Sequence, residues 1–243
     1  LKKYIDINCD LGEGTGNDRA VMPYISSCSI ACGGHFGDRE TVLQTLAYAK
    51  EFGVKVGAHP AYPDPDNFGR ISMALSTQDL KDALRRQFDL FYSLCTSVNH
   101  IKPHGALYND LFHDSVKAKS VVEVIQEYSP KGTVYCAQGS TFSVEAKAAG
   151  LNILFEGFGD RAYTKDAQLV SRKTPGAVFS DKQQIAQQVI DIAAHQKVTT
   201  LDGDTISLQV QTICMHGDGE GVVGNLQFLK EKLSENHIHV QAL

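Results

Sequence analysis

Short apolar, β-branched runs alternate along the chain with longer stretches of helical periodicity. Residues 3–9, 25–32, 54–59, 97–103, 133–137, 152–157 and 207–216 are rich in Val, Ile and aromatic side chains and read as seven strands. Helical patterns fall at 39–52, 76–95, 115–128, 140–149, 181–196 and 221–234. Such alternation predicts parallel strands joined by helical crossovers. Seven units in 243 residues leave about 35 residues each, the size of a βα repeat in a barrel. Local signals keep this phase. Ser76 stands three residues ahead of Asp79 as a capping box, and Gly53 and Gly150 follow helical runs as stops. The expected fold is α/β, a seven-stranded parallel β/α barrel of the TIM type, with residues 1–243 in a single domain.

Strand parity then places the chemistry. In the first strand Asp6, Asn8 and Asp10 share a face opposite Ile5, Ile7 and Cys9. His100, Lys102 and His104 share a face of the fourth, and Thr212, Cys214, His216 and Asp218 a face of the seventh. A barrel strand turns its apolar face to the helices, so these groups point inward. Asp10, His35, His59, His104, Asp160 and His216 also fall at or just past strand C-termini, the end at which barrel active sites are built. Carboxylates and imidazoles gathered in a partly dry mouth are costly unless paired, metal-bound or functional. The alternative is a polar interior of satisfied pairs, such as Lys102 with Asp6. Long loops at 60–75 and 158–180 flank the same end.

Composition narrows the classes. A net charge of −5 supplies no footprint for a nucleic-acid backbone, and no apolar run approaches the ~20 residues of a membrane span. The start lacks a signal-like apolar segment, and the expected location is the cytoplasm. Six scattered cysteines without a Cys-x-x-Cys read as reduced, buried hydrophobes. Gly219–Gly224 matches Gly-x-Gly-x-x-Gly, but only nineteen residues follow, too few to complete a dinucleotide fold. Gly12-Glu13-Gly14-Thr15-Gly16 reads as a mobile loop or a simple turn beside Asp10. The chain has neither a Gly-x4-Gly-Lys-Ser/Thr loop nor a Gly-x-Ser-x-Gly elbow. Water or a metal-bound hydroxide is therefore the expected nucleophile. A metal, if held, would take Asp10, His59 and His104 as ligands; the favoured reading is metal-free.

Several motifs carry a resemblance. They are Asp6–Glu13, Ile30–His35 with Gly37-Asp38, Gly57–Asp64, Phe68–Arg70, Lys102–Asn109, Asp160–Tyr163, Leu169–Arg172 and Cys214–Asp218. In this order the sequence resembles the LamB/YcsF family, A subunits of bacterial ATP-dependent 5-oxoprolinase. The resemblance implies a barrel related to metal-dependent sugar deacetylases. It also implies cleavage of the 5-oxoproline lactam to glutamate, coupled to ATP hydrolysis, with B and C partner subunits. ATP would be bound with those partners, a divalent metal and self-association stay open, and neither nucleic acid nor membrane is expected as a partner.

Lactam opening needs an activated carbonyl, a water and a proton for the departing nitrogen. The assignment by chemistry gives Asp10 the water, Lys102 or His104 the oxyanion and His59 the proton transfer. Arg70 or Arg161 would hold the substrate carboxylate, with Asn8, His35, Asp160, His216 and Asp218 completing the binding surface. Two other readings stay open. One is a metal-dependent amide or sugar deacetylase, the other a non-catalytic subunit that presents substrate to a partner.

Overall fold

The computed structural model describes residues 3–217 and 221–243. Its elements run β1 (Lys3–Leu11), α1 (Asp18–Val21), β2 (Ser27–Ala31), α2 (Arg39–Phe52), β3 (Lys55–His59), α3 (Thr77–Leu94), β4 (His100–Ile101), α4 (Gly105–Asp110), α5 (Ser115–Tyr128) and β5 (Thr133–Cys136). There follow α6 (Thr141–Ala148), β6 (Asn152–Phe158), α7 (Lys182–His195), β7 (Lys197–Thr199), β8 (Thr205–Ser207), β9 (Thr212–Cys214), α8 (Val222–Glu235) and β10 (Ile238–Val240). Strands β1 to β6 pair in parallel in sequence order, β9 joins β6, and β9 also pairs with β1. That last pairing closes the seven-stranded barrel, which the helices surround.

Helix starts obey their caps. Asp38 and Thr41 form a reciprocal capping box at α2, while Ser76, Asp114, Ser140 and Asp181 accept backbone N–H groups at α3, α5, α6 and α7. The outward face of β1, with Ile5, Ile7 and Cys9, enters the apolar layer beneath the helices. The inward face is polar. Asp6 is fully buried and accepts hydrogen bonds from the hydroxyls of Ser26, Ser27, Tyr135 and Thr212 at 2.6–3.0 Å. The sequence reading allowed Lys102 as its partner; the structure instead surrounds it with a ring of hydroxyls. His100 stacks on Tyr135 at 3.9 Å between ring centres, and Gly57 makes room for it, since a Cβ there would lie 2.4 Å from the ring.

Three features differ from the sequence reading. The run at 207–216 is broken: Thr205–Ser207 pairs antiparallel with Lys197–Thr199, and only Thr212–Cys214 joins the barrel. The cause was readable, because Asp202-Gly203 is a hairpin signal and Gly203 has φ 90°. The fourth strand shrinks to two residues ahead of Pro103. Near the end of the chain, Ile238–Val240 adds a parallel strand beside Lys3–Ile5.

Candidate active site

Each chemical group arrives on the C-terminal side of the barrel. Asp10 lies near the end of β1, and Glu13 follows in a loop fixed by Gly12 N–H donating to Asp18 at 2.8 Å. His35 follows β2, His59 ends β3, and Lys102 and His104 follow β4. A cavity of about 530 Å³ opens there. Asp10, Glu13, His59, Lys102 and His104 line one side; Glu156, Arg161 and His216, which is paired with Asp160, also contribute. Asn8 and His35 sit behind this lining, both fully buried. Asp218 lies outside the described residues, as does the start of the Gly219–Gly224 run.

The histidines are locked by backbone carbonyls. His59 Nδ1–H donates to Lys102 O at 2.7 Å, and His104 Nε2–H donates to Phe68 O at 3.0 Å. A carbonyl can only accept, so both tautomers follow from these bonds. Phe68 holds its carbonyl there from a left-handed backbone at φ 55°, uncommon for an aromatic residue. The inner nitrogens, His59 Nε2 and His104 Nδ1, then face each other at 2.9 Å. In neutral rings both are lone pairs, so the contact is unfavourable until a proton or a cation lies between them. Burial, and then the neighbouring His35 and His59, push the His104 imidazole well below its ordinary value. His35 stacks on His104 at 3.6 Å and meets Glu13 at 2.7 Å, while its buried Nδ1 has no hydrogen-bond partner.

Glu13, His35, His59 and His104 offer ligand atoms within 4.8 Å of one another. This set could hold a divalent metal, being the nitrogen and oxygen donors that suit Zn²⁺. The sequence-derived set had Asp10 where Glu13 stands. Asp10 remains adjacent, with Oδ2 3.3 Å from His59 Nε2.

Lys102 is the hub beside this centre. Its ammonium is 2.9 Å from Asp10, 2.8 Å from Glu156 and 3.2 Å from Asn8, with the Cys214 sulfur at 3.1 Å. Its three protons are thus already engaged. Burial works against ionising Asp10, but His59 and Lys102 outweigh it and hold the carboxyl well below the usual range.

The remaining candidates divide. His216 Nδ1 donates to Asp160 at 2.8 Å, and its backbone N–H donates to the same carboxylate at 3.1 Å, leaving Nε2 available at the cavity. Arg161 is buried and donates to the carbonyls of Val170 at 2.6 Å and Ala177 at 3.4 Å, so it ties down the 158–180 loop. Arg70 lies at the exposed rim with its guanidinium 4.8 Å from the Phe68 ring centre. Sequence reasoning passed over two acids. Glu13 was hidden in a glycine loop read as a turn, and Glu156 stands as a lone charge in the apolar strand Asn152–Phe158.

Comparison with known proteins gives a consistent relationship. Residues 5–243 match the LamB/YcsF family. The chain is 38% identical over 247 residues to the 5-oxoprolinase A subunit of Acinetobacter baumannii (strain ACICU), covering 98% of this chain and 97% of the relative. It is 38% identical over 245 residues to the same-named protein of Neisseria meningitidis (serogroup A), covering 99% and 100%. Among solved structures it resembles the lactam utilization protein of Thermus thermophilus, with a TM-score of 0.92, 31% identity and coverage of 99% and 100%. A T48 deacetylase at 11% identity and a TM-score of 0.53, with 98% and 87% covered, shares the fold alone. With a whole-length match, substantial identity and a superimposable barrel, this chain belongs to the LamB/YcsF family.

Proposed function

We propose that this chain opens 5-oxoproline to L-glutamate as the A component of an ATP-dependent, multi-subunit 5-oxoprolinase. In this reading one barrel domain works in the cytoplasm with B and C partner subunits, which supply the nucleotide site. The names of its relatives support the substrate class. The observation that carries the reaction is that one cavity joins an ionised Asp10 beside paired imidazoles to the Asp160–His216 dyad. Amide hydrolysis needs a held water on one side of the carbon and a proton source near the nitrogen on the other.

Asp10 orients the water, and His59, 3.3 Å away, takes up its proton as oxygen bonds to the carbonyl carbon. Lys102 contributes positive charge to the developing oxyanion without a new hydrogen bond, since its donors stay on Asp10, Asn8 and Glu156. The carbon–nitrogen bond then breaks as Nε2 of a doubly protonated His216, paired with the Asp160 carboxylate, gives its proton to the nitrogen. His59 releases the proton it took up and His216 is reprotonated from solvent, so one water is consumed per ring opened. Arg70 and Arg172 at the cavity hold the substrate carboxylate. Glutamate release by the chain alone, and with partner subunits, each with and without ATP, tests this reading. Turnover is expected only with partners and ATP. Equal turnover by the chain alone would overturn the division of labour, and no lactam opening under any condition would overturn the substrate.

A second reading, metal-assisted amide hydrolysis, is favoured by the 2.9 Å contact between two imidazole lone pairs. Glu13, His35, His59 and His104 would hold the ion, which when bound polarises a carbonyl and acidifies water. Metal analysis followed by chelation separates the two. Stoichiometric metal whose removal abolishes turnover supports the second reading, whereas full activity after exhaustive chelation excludes it.

A further inference from the structure

Strand β3 ends at His59, and Pro60 after it has no backbone N–H to donate. Its neighbour β2 pairs with it only as far as Ala31 opposite His59. The chain then turns at Gly33, whose N–H donates to Phe36 O at 2.7 Å. Ala61 is fully buried beyond this point, so its backbone N–H and C=O need partners that no strand supplies. One side chain supplies both. Gln87 of α3, 3% exposed, accepts the Ala61 N–H at 2.9 Å through Oε1 and donates from Nε2 to Ala61 O at 2.8 Å. A further Nε2–H bond, to Ala83 O at 3.1 Å one turn back along α3, fixes the amide itself. The amide thus takes the place of a neighbouring strand.

Three histidine-bearing segments meet around this amide. His59 lies two residues before Ala61. Pro60 O, in the peptide next to the one Gln87 grips, accepts the His104 N–H at 2.8 Å. Gly34, just ahead of His35, packs so closely that a Cβ there would lie 2.3 Å from Gln87 Oε1. We propose that Gln87 is a positioning residue that holds His35, His59 and His104 in one register. It does not line the cavity, so it acts on the chemistry only through these segments. If Ala61 slips, Pro60 O moves and carries His104 with it, while His59 shifts on the other side. The 2.9 Å approach of His59 Nε2 to His104 Nδ1 leaves no room for such a slip, since reacting or ligating groups must be placed to within about 0.5 Å.

This inference rests on the histidine group as the chemical centre in either reading above, and its test has a readout that needs no turnover. Long-range proton–nitrogen NMR of the purified full chain follows the protons on His59 Nδ1 and His104 Nε2, which backbone carbonyls hold. Gln87→Glu keeps an acceptor for the Ala61 N–H but removes the donors to Ala61 O and Ala83 O. Gly34→Ala instead pushes on the unaltered amide, at a backbone conformation open to alanine. Both variants should shift the two imidazole signals and speed their exchange with solvent. In the assembled system both should lower kcat by up to about 10²-fold with KM nearly unchanged. Gln188→Glu, which disturbs a buried amide holding carbonyls of the 158–180 loop, should leave both signals in place. Folded Gln87 and Gly34 variants with wild-type imidazole signals overturn the proposal, even where the melting temperature falls, because the amide is then merely structural. Equal shifts in Gln188→Glu overturn it as general loosening, and shifted signals with wild-type kcat overturn it as irrelevant to the reaction. Shifted signals in a system whose wild type opens no lactam uphold the positioning and overturn the lactam reading alone.

Discussion

Asp10 shows how much depends on the neighbours of a single carboxylate. It accepts from Lys102 and abuts His59, and these two groups keep it ionised despite burial. Asp10→Asn retains the shape and removes the charge, so turnover in the assembled system should drop by about 10²-fold or more, with circular dichroism and complex assembly unchanged. Retained activity would make Asp10 a structural carboxylate. Asp160 supplies a pH dependence of known sign. Burial opposes its ionisation, but the His216 imidazole and backbone N–H prevail and lower its value. A depressed carboxyl stabilises the fold above its unfolded value, near pH ~4, and loses that contribution as pH falls through the lower folded value. Melting temperatures between about pH 7 and pH 3 should therefore fall less steeply in Asp160→Asn than in the wild type. Parallel acid limbs would refute this.

Among the elements, the loops decide what the strands can present. The 60–75 loop packs on the start of α4, where Ala106 N–H donates to Gly69 O at 2.9 Å. Gly105 permits the approach, having φ 55° and lying so close that a Cβ would sit 2.6 Å from that oxygen. The same loop bears the Phe68 carbonyl that fixes His104. Across the cavity, the 158–180 loop depends on Arg161 in place of regular secondary structure, aided by Gln188 donating to three carbonyls at 2.8–3.2 Å. Arg161→Ala removes the side-chain donor from the Val170 carbonyl, while Ala177 O keeps the Ala162 N–H. Limited proteolysis should then cut within 158–180 faster than in the wild type, and KM should rise more than kcat falls. An unchanged cleavage pattern would show that Gln188 and the loop's backbone hydrogen bonds hold it without Arg161.

At the scale of the whole molecule, the barrel closes around a polar axis. Asp6 of β1 draws hydroxyls from Ser27 of β2, Tyr135 of β5 and Thr212 of β9, so one carboxylate links both sides of the closing pair and the far wall. Thr212 in turn accepts from Asn8, which accepts from Lys102, joining this belt to the cavity. Asp6→Asn replaces an acceptor oxygen by a donor facing hydroxyls, and should cost about 2 kcal/mol or more. The check is urea unfolding with an unchanged m-value; a cost within error of zero would show that buried water or rotated hydroxyls compensate. Among the described residues no helix is long and apolar enough to cross a membrane, in keeping with a chain whose apolar side chains serve the layer between barrel and helices.

The barrel and the groups at its mouth are legible along the chain, because strand parity and strand-to-helix alternation are local properties with fixed periods. Asp10 and His59 at strand ends, and Lys102 and His104 just past β4, line one cavity. The motif set likewise carried the family. Tertiary structure alone decided who partners whom, since side chains far apart in the chain meet only once the barrel closes. Hence Glu13, not Asp10, completes the group of three histidines, Glu156 rather than Asp6 meets Lys102, and Arg161 faces loop carbonyls. Distances, not residue types, separate a ligand set from an ion pair, and a sequence carries no distances between strands.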